Sequence, residues 1–432
     1  MKKKVFLHLL VLLPFACFAQ QRLTLSDAVS TALKNNLGIQ LAKNNVAIAT
    51  VNNDYGIAGG LPFVAFNASD NEQTSNLNQT LNGGVKIQRN GNINNAASVG
   101  LAANVLVYNG GRVVAEKKRL ENVQTISEYQ LSSKGLILAG NVILKYYDIV
   151  RQQSYAKTLE KSIEVSRQKL SIIQTQKEIG LANNADLFQA QLDLNAQLQT
   201  LSAQQLVIDQ GKTDLLTLLT LKGDSAIIIN DTILVNKNIR LDSILNNLQM
   251  NPDISVAEKQ IQVNELLERE TLAQRYPSVL AATGYNYNRT QNSAGNIIFN
   301  QNYGPYIGLS LSLPIYNGSI FKKQSQIAGM NTSNSKLLRD TLVLAYNALA
   351  IKSWQAYKSN LEQLETQQKN YELSLQLLDL VMQRFQLRQA TIIDVKLAQQ
   401  SYENAAYQLV NLSYAAKSAE VQLQRLINRL RF

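Results

Sequence analysis

Histidine and cysteine occur once each in these 432 residues, and both fall within the first nineteen, as His8 and Cys17. The stretch that holds them, MKKKVFLHLLVLLPFACFA, has three lysines (Lys2, Lys3, Lys4), an apolar run from Val5 to Phe15, and the small residue Ala19 before Gln20. That order reads as a secretory leader, with an apolar run too short to span a bilayer. Pro14 and Phe15 stand where a lipid-attachment site prefers leucine and a small residue, which argues against lipidation of Cys17. The expected mature chain has neither thiol nor imidazole. Disulfides, cysteine nucleophiles and histidine-based metal or acid–base sites are thereby excluded. Nothing else in the sequence points to catalysis, so no enzyme and no cofactor is expected.

Proline is also scarce, at six residues, and no later run of about 18 apolar residues offers a membrane-spanning helix. A basic block is missing too. Removing Lys2, Lys3 and Lys4 takes the formal net charge from +11 to +8, but the remaining Lys and Arg are scattered among Glu, Asp, Gln and Asn. This is the pattern of solvated helix faces, and no nucleic-acid partner is expected.

What the chain does have is a duplication. Tyr108-Asn109-Gly110 returns as Tyr316-Asn317-Gly318, 208 residues later, and the same offset pairs Gly180 with Arg388 and Asp186 with Asp394. Upstream the offset is 215, pairing Leu61-Pro62 with Tyr276-Pro277 and Ile39 with Ile254. The seven-residue difference falls between Pro62 and Tyr108. There the Asn/Gly-rich stretch NLNQTLNGGVKIQRNGNINN reads as a solvent loop, longer than its counterpart RTQNSAGNIIFNQN. The expected organisation is a leader over 1–19, a first helix–strand–strand–helix repeat over 20–218, a small equatorial β element over 219–240, and a second repeat over 241–432. Two short apolar runs around Asn230-Asp231 carry the β element.

Each repeat reads as helix, strand, loop, strand, long helix, break, helix. The first helix is predicted over Leu25–Ala58, with Ser26 as its cap, and its equivalent over Leu241–Arg275. Pro62 and Pro277 suit helix-to-strand transitions, because proline stops a helix and restricts the residue before it. Alternating runs follow. Val99, Leu101, Ala103, Val105 and Val107 share one face, against Ser98, Gly100, Ala102 and Asn104. Ile307, Leu309, Leu311, Leu313 and Ile315 do the same against Gly308, Ser310 and Ser312, and Val279, Ala281, Thr283, Tyr285 and Tyr287 fall together. Strands of this kind build a transmembrane β-barrel wall or a half-buried soluble sheet, and the alternation alone leaves both open. Four strands per chain cannot close a barrel, and a membrane admits no open sheet edge, so a barrel requires several chains. Three chains would supply twelve strands.

From Gly111 to Ile179, and again from Ser319 to Leu387, 69 residues run without proline. Each predicts a helix of roughly 100 Å, which needs lateral partners. Tyr357, Leu361, Leu364, Gln368, Tyr371, Leu375, Leu378, Met382 and Phe385 alternate steps of four and three, and a series from Tyr402 to Leu430 continues the pattern. That is a coiled-coil seam. The breaks QKEIGLANNADL and RFQLRQATIIDV are then the turns of two antiparallel hairpins. Gly180 supplies permissive backbone in the first turn, and Arg388 occupies its place in the second. Asn183 or Asn184, and Thr391, are expected caps, with Asp186 and Asp394 in first turns, where the macrodipole favours acid.

The duplicated unit, the LPIYNGS junction, and RFQLRQATIIDV, which follows an Arg-aromatic-x-x-Gly-x-x-Thr/Ser-x-x-Asp-Val pattern with Arg388 in place of its Gly, together resemble the TolC-like outer-membrane efflux protein family over nearly all of the mature chain. The resemblance implies an α+β membrane protein. It implies a homotrimer whose twelve-stranded β-barrel, four strands per protomer, sits in outer-membrane lipid and continues into an α-helical coiled-coil tunnel in the periplasm. Its implied work is that of a passive exit duct in a tripartite efflux or type I secretion system. A periplasmic adaptor and an inner-membrane transporter of RND, ABC or MFS type would dock at the helical tips. Pro62, Tyr108, Gly110, Pro277, Tyr316 and Gly318 would mark the strand–helix junctions.

The resemblance also implies a periplasmic gate. Asp186 and Asp394 match positions that place carboxylates near the constriction, where a ring of acids favours cations; read from the residues alone, both are helix-start acids. Phe385 stands where relatives often carry a tyrosine that locks the closed tip, and Ala390 where they carry an arginine. Arg384 and Arg388, one turn apart, are the expected replacement partners for the carboxylates. Ile179-Gly180-Leu181 resembles the adaptor-contact turn, whereas Leu387-Arg388-Gln389 does not. Trp354 reads as packing. Tyr108 and Tyr316, with Tyr285, Tyr287, Tyr303 and Tyr306, are expected in interfacial girdles. The terminal Phe432 ends a helix and carries little weight. Two rivals stand beside this reading. A periplasmic adaptor needs one hairpin between β-rich halves, and a coiled-coil fibre leaves the strands without purpose.

Overall fold

The structure, a computed structural model, describes residues 21–430. The expected leader, with His8 and Cys17, and the terminal Phe432 lie outside the described residues. In chain order the elements are β1 (Gln21–Arg22), α1 (Leu25–Asn35), α2 (Leu37–Asn52), β2 (Phe63–Thr80), β3 (Lys86–Asn109), α3 (Arg112–Glu178), α4 (Asn184–Leu218), β4 (Ile227–Ile228), α5 (Leu241–Asn247), α6 (Pro252–Ala273), β5 (Ser278–Asn292), β6 (Phe299–Ser312), α7 (Ile320–Gln386) and α8 (Ile392–Leu426). They divide between two units. One unit takes the chain through Leu41, Ser133–Asn251 and the chain from Ala345, and the other takes Ala42–Ser132 and Pro252–Leu344.

The second unit holds a four-stranded antiparallel sheet in the order β2-β3-β5-β6. Register, fixed by the ladder hydrogen bonds, decides which side chains share a face. Ala68, Val99, Tyr287 and Tyr303 stand opposite one another across all four strands. Phe66, Leu101, Tyr285 and Pro305 form the next row, and Val64, Ala103, Thr283 and Ile307 the one after. The intervening rows are small or polar: Asn67, Gly100, Asn286 and Gly304, then Ser69, Ser98, Asn288 and Asn302. On that face Ser98 Oγ donates to Asn288 Oδ1 at 2.8 Å, and Asn288 Nδ2 donates to Asn302 Oδ1 at 3.1 Å.

Three expectations need correction here. The Asn/Gly-rich stretch is mostly strand, because β2 runs to Thr80 and β3 begins at Lys86, leaving only residues 81–85 as the turn. Backbone pairing and cross-strand amides such as Asn95 Nδ2 to Asp70 Oδ1, at 2.8 Å, carry the sheet through sequence that composition assigns to a loop. The second YNG does not end a strand. β6 stops at Ser312, since Pro314 offers no N–H and restricts Leu313, so Leu313, Ile315 and Tyr316 lie beyond the sheet. Tyr306, finally, leaves the expected girdle. It pairs opposite Gly284 on the small-residue face, where a Cβ on Gly284 would come within 2.8 Å of the Tyr306 ring.

The chain of α3 and of α7 begins in the second unit and continues into the first, where α3 turns into α4 and α7 into α8; the paired helices match in length, 67 residues each for α3 and α7 and 35 each for α4 and α8. The seam series is largely buried, with Tyr357, Leu378, Met382, Phe385, Tyr402, Ala405, Ala416, Leu423 and Leu426 in the core. One register position differs. Gln367 is buried in place of Gln368, and its Nε2 donates to the Ala405 carbonyl at 3.0 Å. The predicted entry helices are each broken. Asn36 and Asn251 take extended backbone (ψ 127° and 126°), the first supported by the Gly38 N–H donating to its Oδ1, the second by the restriction that Pro252 imposes. Thr24, not Ser26, caps α1, accepting from the Asp27 N–H. In the segment 219–240 only the first apolar run forms a strand, β4, which pairs in parallel with β1.

Candidate functional site

The two hairpin turns are built from one recipe. Gly180 (φ 77°) and Arg388 (φ 61°) occupy the left-handed region, and each closes a double backbone bond. At the first turn the Gly180 N–H donates to Lys177 at 2.9 Å and the Leu181 N–H to Gln176 at 2.7 Å. At the second the Arg388 N–H donates to Phe385 at 3.1 Å and the Gln389 N–H to Arg384 at 2.7 Å. Arg388 therefore reproduces a glycine's backbone at some cost in strain. The far ends of the returning helices repeat the motif, with Thr220 (φ 56°) and Asn428 (φ 53°) in the glycine-like position.

Each returning helix starts on a side-chain cap. Asn183 Oδ1 accepts from the Asp186 N–H at 2.8 Å, and Thr391 Oγ1 accepts from the Asp394 N–H at 3.2 Å. The Asp394 carboxylate completes a capping box by accepting from the Thr391 N–H at 2.7 Å and hydroxyl at 2.8 Å. Those two bonds, aided by the nearby Arg384 guanidinium, hold its carboxyl below the ordinary carboxylate value although it is fully exposed. Arg384 sits close to Asp394, yet its Nη2 donates to the Gln389 carbonyl at 3.1 Å and so braces the turn. Arg384 and Asp394 also line a groove of about 330 Å³ with Leu377, Val381 and Leu397.

Phe385 is 6% exposed and belongs to a cluster with Val165, Ile173, Ala190, Leu378, Met382 and Val395. Ala390 packs against the same cluster. Ile179, Leu181 and Leu387 are exposed at the turns.

Sequence reasoning missed a charged group above the turns. Lys169 Nζ on α3 lies 3.0 Å from Asp193 Oδ2 on α4, and Lys396 Nζ on α8 lies 3.1 Å from Asp193 Oδ1. Nearby, Gln399 Nε2 donates to the Ser162 carbonyl at 2.9 Å and to Ser166 Oγ at 2.9 Å, while Gln197 Nε2 donates to Glu403 Oε1 at 2.9 Å. The signal was present as spacing. Ser162, Ser166 and Lys169 repeat at i, i+4 and i+7 on α3, and Lys396, Gln399 and Glu403 at i, i+3 and i+7 on α8, the steps of a buried stripe.

In the second unit the junction residues separate by environment. Gly110 (φ 71°) sits against the end of α6, where an added Cβ would meet the Ala273 carbonyl at 2.7 Å. Gly318 (φ 67°) has open space around it. Pro62 and Pro277 immediately precede β2 and β5. Tyr108 and Tyr316 are exposed.

Among the described residues, no group of His, Cys, Asp and Glu could hold a metal ion, and no helix is long and apolar enough to cross a membrane. No curated protein sequence matches the chain. Solved structures with the same fold include the outer membrane protein VceC of Vibrio cholerae, 17% identical, with a TM-score of 0.78 over 94% of this chain and 96% of that one. The Campylobacter jejuni CmeC outer membrane channel is 17% identical, with a TM-score of 0.76 over 94% and 85%. The open state of the Neisseria gonorrhoeae MtrE outer membrane channel is 18% identical, with a TM-score of 0.64 over 94% and 88%. A family model described as outer membrane efflux protein matches residues 28–220 and 244–429, and the chain belongs to that family of transport channels, which are not enzymes.

Proposed function

We propose that this chain is the outer-membrane exit duct of a tripartite efflux or type I secretion system, working as a homotrimer. The observation that carries the reading is the face pattern of the sheet. Rows from Val279 to Tyr287 present apolar side chains on one face and end on paired Tyr287 and Tyr303. The eight steps from Val279 to Tyr287, at about 3.4 Å each, span roughly 27 Å, close to the height of a lipid-facing band. β2 and β6 each leave one edge unpaired within the chain. Three copies joined edge to edge give twelve strands and no free edge, as lipid requires. The double match of the family model, and element lengths that recur 208 residues apart, support two copies of one unit per protomer.

On this reading the duct ends in the periplasm at the two hairpin turns. Asp186 and Asp394 ring the constriction, while Arg384, Arg388 and Phe385 shape the second turn. Ile179, Gly180 and Leu181 meet a periplasmic adaptor, through which an inner-membrane transporter supplies the cargo. Gly180→Glu tests the docking assignment: a Cβ there meets nothing within 4 Å, so the change carries only the cost of a left-handed backbone, which Arg388 already bears in the second turn. The expected result is lost export from a complex that still assembles. Undiminished export by Gly180→Glu would remove the first turn from the docking surface.

A further inference from the structure

We infer that Lys396 is the release arm of a charged latch between the two hairpins, with Asp193 as its catch and the buried Lys169 as a permanent counter-ion. The inference rests on the gated-duct reading and names what holds the gate shut.

The three side chains come from three helices, α3, α4 and α8, and they differ sharply in exposure. The Lys169 side chain is 0% accessible, Asp193 14% and Lys396 46%. Asp193 also accepts from Gln189 Nε2 at 2.9 Å. With two cations on one carboxylate, either contact can open without leaving the acid uncompensated. Only one of them is free to go. Lys169 has no route to water, and parting it from Asp193 would strand a buried charge. Lys396 already reaches solvent, and half-exposed pairs are weak, so its departure costs little.

The surroundings assign the direction of movement. Toward the turns the hairpins meet through Ile173, Ala190, Phe385 and Val395, an apolar contact that is non-directional and tolerates sliding. Away from the turns α8 is tied by directional bonds. Gln399 is 3% exposed and donates to Ser162 and Ser166, and Ser162 Oγ donates to Glu403. Buried polar contacts of this type fix helix register. Lys396 is therefore the first polar tie below a fixed layer, on the segment that carries the second turn. The groups at the turn itself are committed elsewhere: Phe385 and Ala390 to the apolar cluster, Arg384 to the Gln389 carbonyl.

The test is single-channel conductance of the full-length protein, purified in detergent and inserted into planar bilayers. Lys396→Met is expected to raise resting conductance several-fold while the complex keeps the wild-type melting midpoint. Lys396→Arg, which preserves the ion pair, should conduct like wild type. Lys396→Gln guards against a packing artefact of methionine. Wild-type conductance in both Lys396→Met and Lys396→Gln overturns the latch and leaves the duct standing. Loss of assembly in both also overturns it, since a release arm is dispensable to the folded complex. Failure of the wild-type protein to form any pore refutes the duct reading beneath.

Discussion

Asn251 donates from Nδ2 to the Leu426 carbonyl at 3.0 Å, and Asn36 makes the same bond to the Leu218 carbonyl at 3.2 Å. Each asparagine is where an entering helix breaks, and each carbonyl belongs to the last residue of a returning helix. One device thus satisfies an otherwise orphaned helix-end acceptor in both halves.

Replacing either asparagine with alanine is expected to cost about 1 kcal/mol. Asn251→Ala should be the more damaging, because Asn251 is buried and Asn36 only half-buried. Chemical denaturation of the two variants side by side checks the order.

The junction glycines should part company. Gly110→Ala must place a Cβ against the Ala273 carbonyl and Tyr276 as well as hold a left-handed backbone, whereas Gly318→Ala meets only the backbone penalty. That penalty is about 1–2 kcal/mol. Gly318→Ala should therefore yield a weakened but assembled protein, and Gly110→Ala a sharply lower yield of folded complex. Equal yields would contradict the observed contact.

Acid should act on two partly buried carboxyls in opposite directions. Burial pushes Asp193 up, but hydrogen bonds from Lys169 and Lys396 outweigh it and leave the group below its ordinary 3.8. Its stabilisation is therefore present above that ordinary value and is lost as pH falls through the lowered one. Asp193→Asn should cost about 3 kcal/mol or more at pH 7, since Lys169 is left buried without its anion, and the gap to wild type should begin to narrow only below the ordinary 3.8 and shrink as pH falls through the lowered value. Burial pushes Glu403 up past the opposing bonds from Ser162 and Gln197, so its folded state favours the protonated form. That contribution is fully present below the ordinary 4.5 and lost as pH rises through the raised value. Glu403→Gln should accordingly be more stable than wild type at pH 7, and the advantage should vanish in acid. Melting curves from pH 3 to about 8 separate the two.

Neighbouring residues on β6 report the two faces. Leu309 lies in the apolar rows and Ser310 on the small-residue face. An arginine on a lipid face near the midplane costs about 2–4 kcal/mol, and one facing the lumen far less. Leu309→Arg should therefore impair insertion into the outer membrane, while Ser310→Arg inserts normally. The two variants give identical outer-membrane yields if the sheet does not sit in lipid.

Periodicity made the helices legible. The unbroken runs after Gly111 and Ser319, the caps at Asn183 and Thr391, and the first-turn positions of Asp186 and Asp394 all follow from local chemistry that the sequence displays. The strands were legible in type but not in extent. Asparagine-rich sequence such as Asn92–Asn95 belongs to the sheet because its neighbours pair with it, a tertiary cause that composition does not carry. The glycine-like turn at Arg388 was hidden for a similar reason, since the hydrogen bonds that enforce it involve backbone, not side-chain identity. The Lys169–Asp193–Lys396 cluster was illegible in any single helix. Its three members lie 24 and 203 residues apart, and each alone resembles a surface charge.

Mass measurement of the full-length protein extracted from outer membranes in mild detergent tests the central claim most directly. Three copies in one complex, with β structure that resists protease while the lipid or detergent is present, is the predicted result. A single copy that stays dissolved after detergent removal would contradict the shared barrel and everything argued from it.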